Sequence, residues 1–76
     1  MSKLPRVNAR ETVAALLKAG WVVDHYTGSH AVLENPTTPR GTVVPEHGGH
    51  DLAPGTLHRI LSQANLTVDE FIALLK

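Results

Sequence analysis

The chain of 76 residues contains no cysteine, one residue each of Trp, Tyr and Phe, and no long apolar run. Without cysteine, disulfides and cysteine-containing zinc or iron–sulfur sites are excluded, which fits a reducing cytoplasm. The apolar runs are only a few residues long, too short to cross a membrane. Lys3, Arg6 and Arg10 follow Met1 without an apolar stretch behind them, so no secretory signal is expected.

The chain also has no excess of charge. Seven basic and seven acidic residues give a formal net charge of zero, whereas strong non-specific nucleic-acid binding normally requires a basic excess. The positive charges are unevenly placed, because Lys3, Arg6 and Arg10 all precede the first acid, Glu11. This cluster is interpreted as a solvated helix start or, as the less common alternative, a phosphate-binding patch. The length allows one small domain over residues 1–76.

Capping signals and apolar periodicity predict the first helix over residues 9–19. Asn8 and Glu11 have the spacing of a capping box, and Gly20 can end the helix in a left-handed conformation. The apolar stripe expected to face a core consists of Val13, Leu16 and Leu17.

Two further helices are predicted near the C-terminus. Pro54 suits a first helical turn, and Asn65 can adopt a left-handed cap at the other end. The intervening apolar positions repeat at helical spacing: Leu57, Ile60, Leu61 and Ala64. Thr67 and Glu70 form another capping box and open a short last helix.

Between the helices, β-branched and aromatic residues predict strands at 21–26, 30–34 and 41–44. The turn 27–29 joins the first two strands, and residues 35–39, with two prolines, are expected to form a turn. The order α-β-β-β-α-α predicts an α+β fold, in which a three-stranded antiparallel sheet carries its helices on one face. The other face would be open to solvent or to a partner. Trp21 and Phe71 are expected in the core.

His30 is the candidate catalytic residue. It follows Gly28 and Ser29 at the first position of the second strand, where a ring beside a hairpin turn can reach solvent or substrate. Histidine suits acid–base chemistry because its unperturbed pKa lies near neutrality. On this ground alone, a surface strand residue is the more common interpretation.

Several stretches, in this order, carry a resemblance to a known family: Leu4-Pro5-Arg6-Val7; Gly28-Ser29-His30 with Val32-Leu33; Thr42-Val43 with Pro45 and His47; Pro54-Gly55-Thr56-Leu57 with Ile60-Leu61; and Gln63-Ala64-Asn65-Leu66-Thr67 with Glu70-Phe71. Together they span almost the whole chain, and they resemble the HicA toxins, the mRNA interferases of type II toxin–antitoxin pairs.

The resemblance implies a fold like a double-stranded-RNA-binding domain, a metal-independent endoribonuclease that cleaves mRNA and inhibits translation, and no cofactor. It implies His30 as the catalytic residue and a HicB-like antitoxin as the partner. Candidate contacts to the RNA substrate are the start of the helix at Pro54 and the residues Arg6, Arg10, Gly28, Ser29 and His47.

Three positions depart from the family pattern. Thr27 and His58 stand where a basic residue is frequent, which removes fixed charge that would hold phosphates, and Asn65 replaces a helix-ending glycine. The rival interpretations are a non-catalytic module that holds duplex RNA and a protein-interaction module that uses the open sheet.

Other side chains have weaker claims to a role. His25 would lie near His30 in a tight hairpin, so a second acid–base role is an alternative to a structural one. His47 and His50, with Glu46 and Asp51, suggest zinc but lack a second clear ligand pair, and no metal site is predicted. Tyr26 is expected to bury its ring with the hydroxyl in water, and stacking on a base is the alternative.

Overall fold

The computed structural model describes residues 3–46 and 49–76. Its elements, in chain order, are helix α1 (Ala9–Lys18), strands β1 (Val22–Thr27), β2 (His30–Asn35) and β3 (Thr38–Pro45), and helices α2 (Pro54–Ala64) and α3 (Val68–Leu74). The strands form one antiparallel sheet in the order β1-β2-β3. The predicted α+β fold with the order α-β-β-β-α-α is therefore confirmed.

Local hydrogen bonds begin and end the helices as predicted. At α1, the Asn8 side chain accepts from the Glu11 N–H at 2.9 Å, and the Glu11 carboxylate accepts from the Asn8 N–H at 3.0 Å. Thr67 and Glu70 exchange the same pair of bonds at α3, at 2.8 and 3.1 Å. Asn65 ends α2 with φ +59° in the left-handed region. These caps satisfy groups that a helix end leaves unpaired.

The pairing register divides the sheet into two faces. The side chains that face the helices lie in the rows Val23–Leu33–Thr42 and Tyr26–Ala31–Val44. The opposite side, here called the open face, carries the rows Val22–Glu34, His25–Val32–Val43 and Thr27–His30–Pro45. No other described element packs on the open face, as expected for two amphipathic helices that cover one side.

The core lies between the sheet and the first two helices. Leu16 of α1 and Ile60 of α2 are fully buried against Ala31 and Leu33 of the central strand. On the outer side of these helices, the short helix α3 buries Phe71 in a second cluster, whose other buried members are Val7, Ala15, Leu57 and Leu61. Trp21 and Phe71 are core residues, as predicted.

The apolar stripe of α1 differs from the prediction at one position. Leu17 is 48% exposed, whereas Val13 and Leu16 are buried as expected. Thr12 and Ala15 are buried instead. The buried arc is turned because α1 contacts α3 through Ala15 as well as the sheet, so the side of the helix that carries Leu17 faces away from both.

The third strand is longer than predicted. It begins at Thr38, which pairs with Asn35, and not at Gly41. The turn predicted over 35–39 was therefore wrong at its C-terminal end, because Pro39 lies within β3. An edge strand accepts proline where the missing N–H is not needed by a neighbouring strand.

A polar contact holds α2 against β3. Thr42, which is 1% exposed, donates from its hydroxyl to the Gln63 side-chain oxygen at 2.8 Å. The same oxygen accepts from Arg59 at 3.2 Å, and a second Arg59 nitrogen donates to the Val43 carbonyl at 3.2 Å. The contacts pair later residues of α2 with earlier residues of β3, so the helix runs antiparallel to the strand.

We expect Gly41→Ala to destabilise the fold. A Cβ at this position would lie 2.9 Å from the Leu33 carbonyl oxygen, which belongs to the backbone of the adjacent strand. The two strands would have to separate locally, at a cost of about 1–3 kcal/mol in the free energy of unfolding.

The matched control is Gly55→Ala in the first turn of α2, where a Cβ has no neighbour within 4 Å. It should leave the protein as stable or raise its stability by about 0.5–1 kcal/mol. Chemical denaturation of both variants measures the difference. Equal midpoints for the two variants would contradict the close approach at Gly41.

Candidate active site on the open face of the sheet

His30 lies at one end of the open face, on the central strand. Its cross-strand partners are Thr27 on β1 and Pro45 on β3. The residue is exposed, while the next residue, Ala31, is fully buried on the other face. The backbone of His30 is thus held between two strands while its imidazole is presented to the outside. Such a position suits a group that must meet a substrate.

The turn before His30 is short and has a defined backbone. Gly28 has φ +57°, and Ser29 is outside the positive-φ region. This is the pattern of a type II′ turn, in which glycine is preferred at the first central position. The Ser29 carbonyl accepts a hydrogen bond of 2.8 Å from the Glu46 N–H. The turn is therefore tied to the segment that leaves β3.

A β-bulge in β1 places a second histidine on the same face. The register shifts between Val23, which pairs with Leu33, and His25, which pairs with Val32. His25 therefore lies on the open face with His30. Its Nδ1 is 2.6 Å from a carboxylate oxygen of Asp24, the extra residue of the bulge.

The first two helices both begin at the end of the sheet where His30 lies. The connection from α1 to β1 is three residues long, so α1 ends next to the start of β1, at the end of the sheet away from His30. The first turn of α1 therefore lies at the His30 end. Helix α2 runs antiparallel to β3 and therefore begins near Pro45. The two helix starts are joined by a bridge between Asn8 and Asp51 and by a 2.8 Å bond from the Leu52 N–H to the Val7 carbonyl.

The N-terminus of α2 begins at an N-cap residue, Ala53, whose side chain cannot accept a hydrogen bond. Among residues 3–46 and 49–76, no side chain accepts a hydrogen bond from the first turn of this helix. Pro54 has no N–H, so the donors available in this turn are the backbone amides of Gly55 and Thr56. Uncapped amides and the helix dipole favour an anion at this position. In α1, by contrast, the capping box of Asn8 and Glu11 satisfies part of the same requirement.

The predicted substrate contacts are only partly brought together. Arg10 lies in the first turn of α1, at the His30 end, and Arg6 lies in the segment that precedes it; both are exposed. Gly28 and Ser29 form the turn. His47 lies outside the described residues.

The two departures that remove a basic residue, Thr27 and His58, also have defined places. Thr27 is directly opposite His30 on the open face, so an uncharged side chain stands beside the imidazole. His58 is exposed on α2. Its neighbour Arg59 is bonded to Gln63 and to the Val43 carbonyl, so this guanidinium braces the helix against β3.

The structure also gives the positions of Tyr26, His50 and Asp51. Tyr26 is 56% exposed, so the expected burial of its ring is wrong; it pairs with Ala31 and therefore lies on the opposite face from His30. His50 and Asp51 are exposed. Within residues 3–46 and 49–76, no three His, Asp or Glu side chains are grouped closely enough to hold a metal ion.

The family model for the HicA toxin of bacterial toxin–antitoxin systems matches residues 9–66. The match covers most of the chain and includes the hairpin with His30 and the helix that begins at Pro54. The chain therefore belongs to the HicA toxin family, and its role is that of a toxin in a toxin–antitoxin pair. No curated protein sequence matches the chain. None of the described helices is long and apolar enough to cross a membrane.

The bulge is the feature of the site that sequence reasoning missed. Uninterrupted alternation along β1 would put His25 on the face opposite to Val22 and Asp24. One sequence signal existed, because the three consecutive polar or amphipathic residues Asp24, His25 and Tyr26 do not alternate. Such a run is consistent with a bulge but also with an exposed edge strand.

We expect Gly28→Ala to destabilise the hairpin. The φ of +57° is strained for any residue with a Cβ, and the penalty is about 1–2 kcal/mol. Nothing lies within 4 Å of a Cβ at this position, so the effect would come from backbone conformation and not from a clash.

Ser29→Ala is the control for the same turn, because Ser29 is outside the positive-φ region; its stability should stay within about 0.5 kcal/mol of the wild type. Thermal unfolding of both variants measures the difference. A Gly28→Ala protein as stable as Ser29→Ala would show that the turn does not require the left-handed conformation.

Proposed function

We propose that this HicA-family toxin is an endoribonuclease that cleaves mRNA and so inhibits translation, and that a HicB-like antitoxin holds it inactive. The observation that carries the proposal is the placement of His30. Its imidazole is exposed on the open face, beside the turn at Gly28 and Ser29 and at the end of the sheet where helices α1 and α2 begin. This arrangement suits a proton-transfer group next to a bound phosphate.

RNA supplies its own nucleophile, the 2′-hydroxyl next to the scissile phosphate. His30 would take the proton from this hydroxyl or give one to the departing 5′-oxygen, and a positioned acid–base group contributes roughly 10²–10⁴-fold in rate. The products are a 2′,3′-cyclic phosphate, or its hydrolysis product, and a 5′-hydroxyl. The reaction as proposed uses only groups of the protein and the RNA.

The phosphate charge would be stabilised chiefly by groups of the backbone. The uncapped amides of Gly55 and Thr56 at the start of α2 and the guanidinium groups of Arg6 and Arg10 support this role. Because Thr27 is uncharged and the net charge is zero, few fixed cations contribute. We therefore expect modest RNA affinity and a shallow dependence on salt.

The engagement of Arg59 weighs against the rival function of a duplex-binding module. Such a module presents a basic cluster at the start of its last long helix. Here the early part of α2 carries one arginine, and that side chain donates to the Val43 carbonyl and the Gln63 oxygen.

An antitoxin that covers the open face would mask His30 and would also stabilise the small toxin by mass action.

We expect His30→Ala to abolish toxicity and RNA cleavage, with a loss of roughly 10²–10⁴-fold in the rate. The measurement is growth after induction in cells, together with cleavage of purified RNA in the presence of EDTA. His58→Gln, which replaces an exposed histidine on α2, is the control and should remain near wild-type activity.

Equal toxicity of the wild type and His30→Ala would refute the catalytic role of His30. Loss of wild-type cleavage in EDTA would show that the reaction needs a metal. Tight binding of duplex RNA without cleavage would favour the non-catalytic module.

A separate prediction concerns Arg6 and Arg10, the cations near the His30 end of the sheet. Arg6→Gln and Arg10→Gln should each weaken binding of an uncleavable 2′-deoxy RNA analogue and lower the slope of log K against log salt by about 0.7 per lost phosphate contact. Arg40→Gln is the control, because Arg40 is exposed near the start of β3, at the opposite end of the sheet. Equal salt slopes in all three variants would exclude Arg6 and Arg10 from the RNA site.

A further inference from the structure

We propose that His25, oriented by Asp24, is the second acid–base group of the ribonuclease reaction. The inference rests on the proposed function and assigns a further catalytic residue to the same site. Three observations carry it: the bulge that moves His25 to the open face, its bond to a carboxylate, and its position diagonal to His30.

The bulge decides on which face the imidazole lies. Val22 pairs with Glu34 on the open face and Val23 pairs with Leu33 on the helix side. Without the extra residue, alternation would place His25 on the helix side and Asp24 on the open face. The bulge adds one unpaired residue, so that His25 pairs with Val32 and lies on the open face. Bulges are over-represented beside active sites, where they redirect a side chain.

The bond to Asp24 gives His25 a defined ring orientation. Nδ1 lies 2.6 Å from the carboxylate oxygen, and the two side chains are 55% and 48% exposed. When Nδ1–H donates to the carboxylate, Nε2 is the nitrogen that exchanges a proton with a ligand. The arrangement is the one by which a carboxylate positions an imidazole and stabilises its charged form during proton transfer. Asp24 is thus a positioning residue.

The distance between the two histidines suits a single phosphate. His25 pairs with Val32, two residues along β2 from His30, and diagonal neighbours on paired strands are about 7–8 Å apart between Cα atoms. The other residues in their two rows are the apolar Val32, Val43 and Pro45 and the uncharged Thr27. The titratable groups in the paired rows of this face are His25, His30 and Glu34, and Asp24 is the unpaired residue of the bulge beside His25.

Two imidazoles complete the proton balance of the reaction. One takes the proton from the 2′-hydroxyl while the 2′-oxygen forms its bond to phosphorus. The bond from phosphorus to the 5′-oxygen breaks, and the other, protonated imidazole gives its proton to that oxygen. After this step the first ring is protonated and the second ring is neutral, so the proton count of the enzyme is unchanged. No other reactant is needed for the step.

The test compares His25→Gln and Asp24→Asn with the wild type on an RNA that the wild type cleaves. We expect kcat to fall roughly 10²-fold or more in His25→Gln and roughly tenfold in Asp24→Asn. The pH profile of kcat/KM should be bell-shaped in the wild type and lose one limb in His25→Gln. Affinity for the 2′-deoxy analogue and the unfolding midpoint should not change, which separates catalysis from a structural role.

Glu34→Gln, which removes the other carboxylate of the open face, is the matched control and should keep the kcat and the bell shape. A His25→Gln protein with wild-type kcat and an unchanged profile would overturn the inference, provided that His30→Ala has lost cleavage. If the wild type fails to cleave RNA, the proposed function itself is refuted. The two failures are therefore distinguishable.

Discussion

The structure depends on the pairing of β2 along both of its edges. This strand supplies Ala31 and Leu33 to the core and His30 and Val32 to the open face. A slip of one residue would exchange the two sets. Ala31 and Leu33 would then be exposed, and the imidazole of His30 would be buried in the apolar core. One register therefore both forms the core and presents the candidate catalytic histidine. The packing of the core stabilises this register.

The rest of the chain places polar groups at the same end of that strand. A left-handed glycine turns the hairpin beside His30, and the segment after β3 is bonded to the turn through Glu46 and Ser29. That segment leads to an uncapped helix, and the N-terminal segment is joined to it by the bridge between Asn8 and Asp51. The backbone amides that we propose as phosphate contacts therefore lie at the same end of the sheet as His30.

Where the sequence predictions failed, the cause was a contact that local patterns do not contain. Leu17 is exposed because α1 turns its buried arc toward α3. β3 includes Pro39 because the strand has a neighbour on only one side, and the sequence does not state which strand is at the edge. Tyr26 is exposed for a related reason, since the edge strand β1 is only partly covered by α1.

The sequence by itself determined the helix boundaries, both capping boxes, the left-handed Asn65, the hairpin at Gly28, the order of elements and, through the matching stretches, the HicA family. These features depend on neighbouring residues and on periodicity, which a linear pattern records. Only the tertiary structure decided which face each strand residue occupies after the bulge, and that His25 shares the open face with His30. It also decided that helices α1 and α2 begin at the end of the sheet where His30 lies. Those relations arise from register and packing between segments distant in sequence, and one extra residue in β1 is enough to change them.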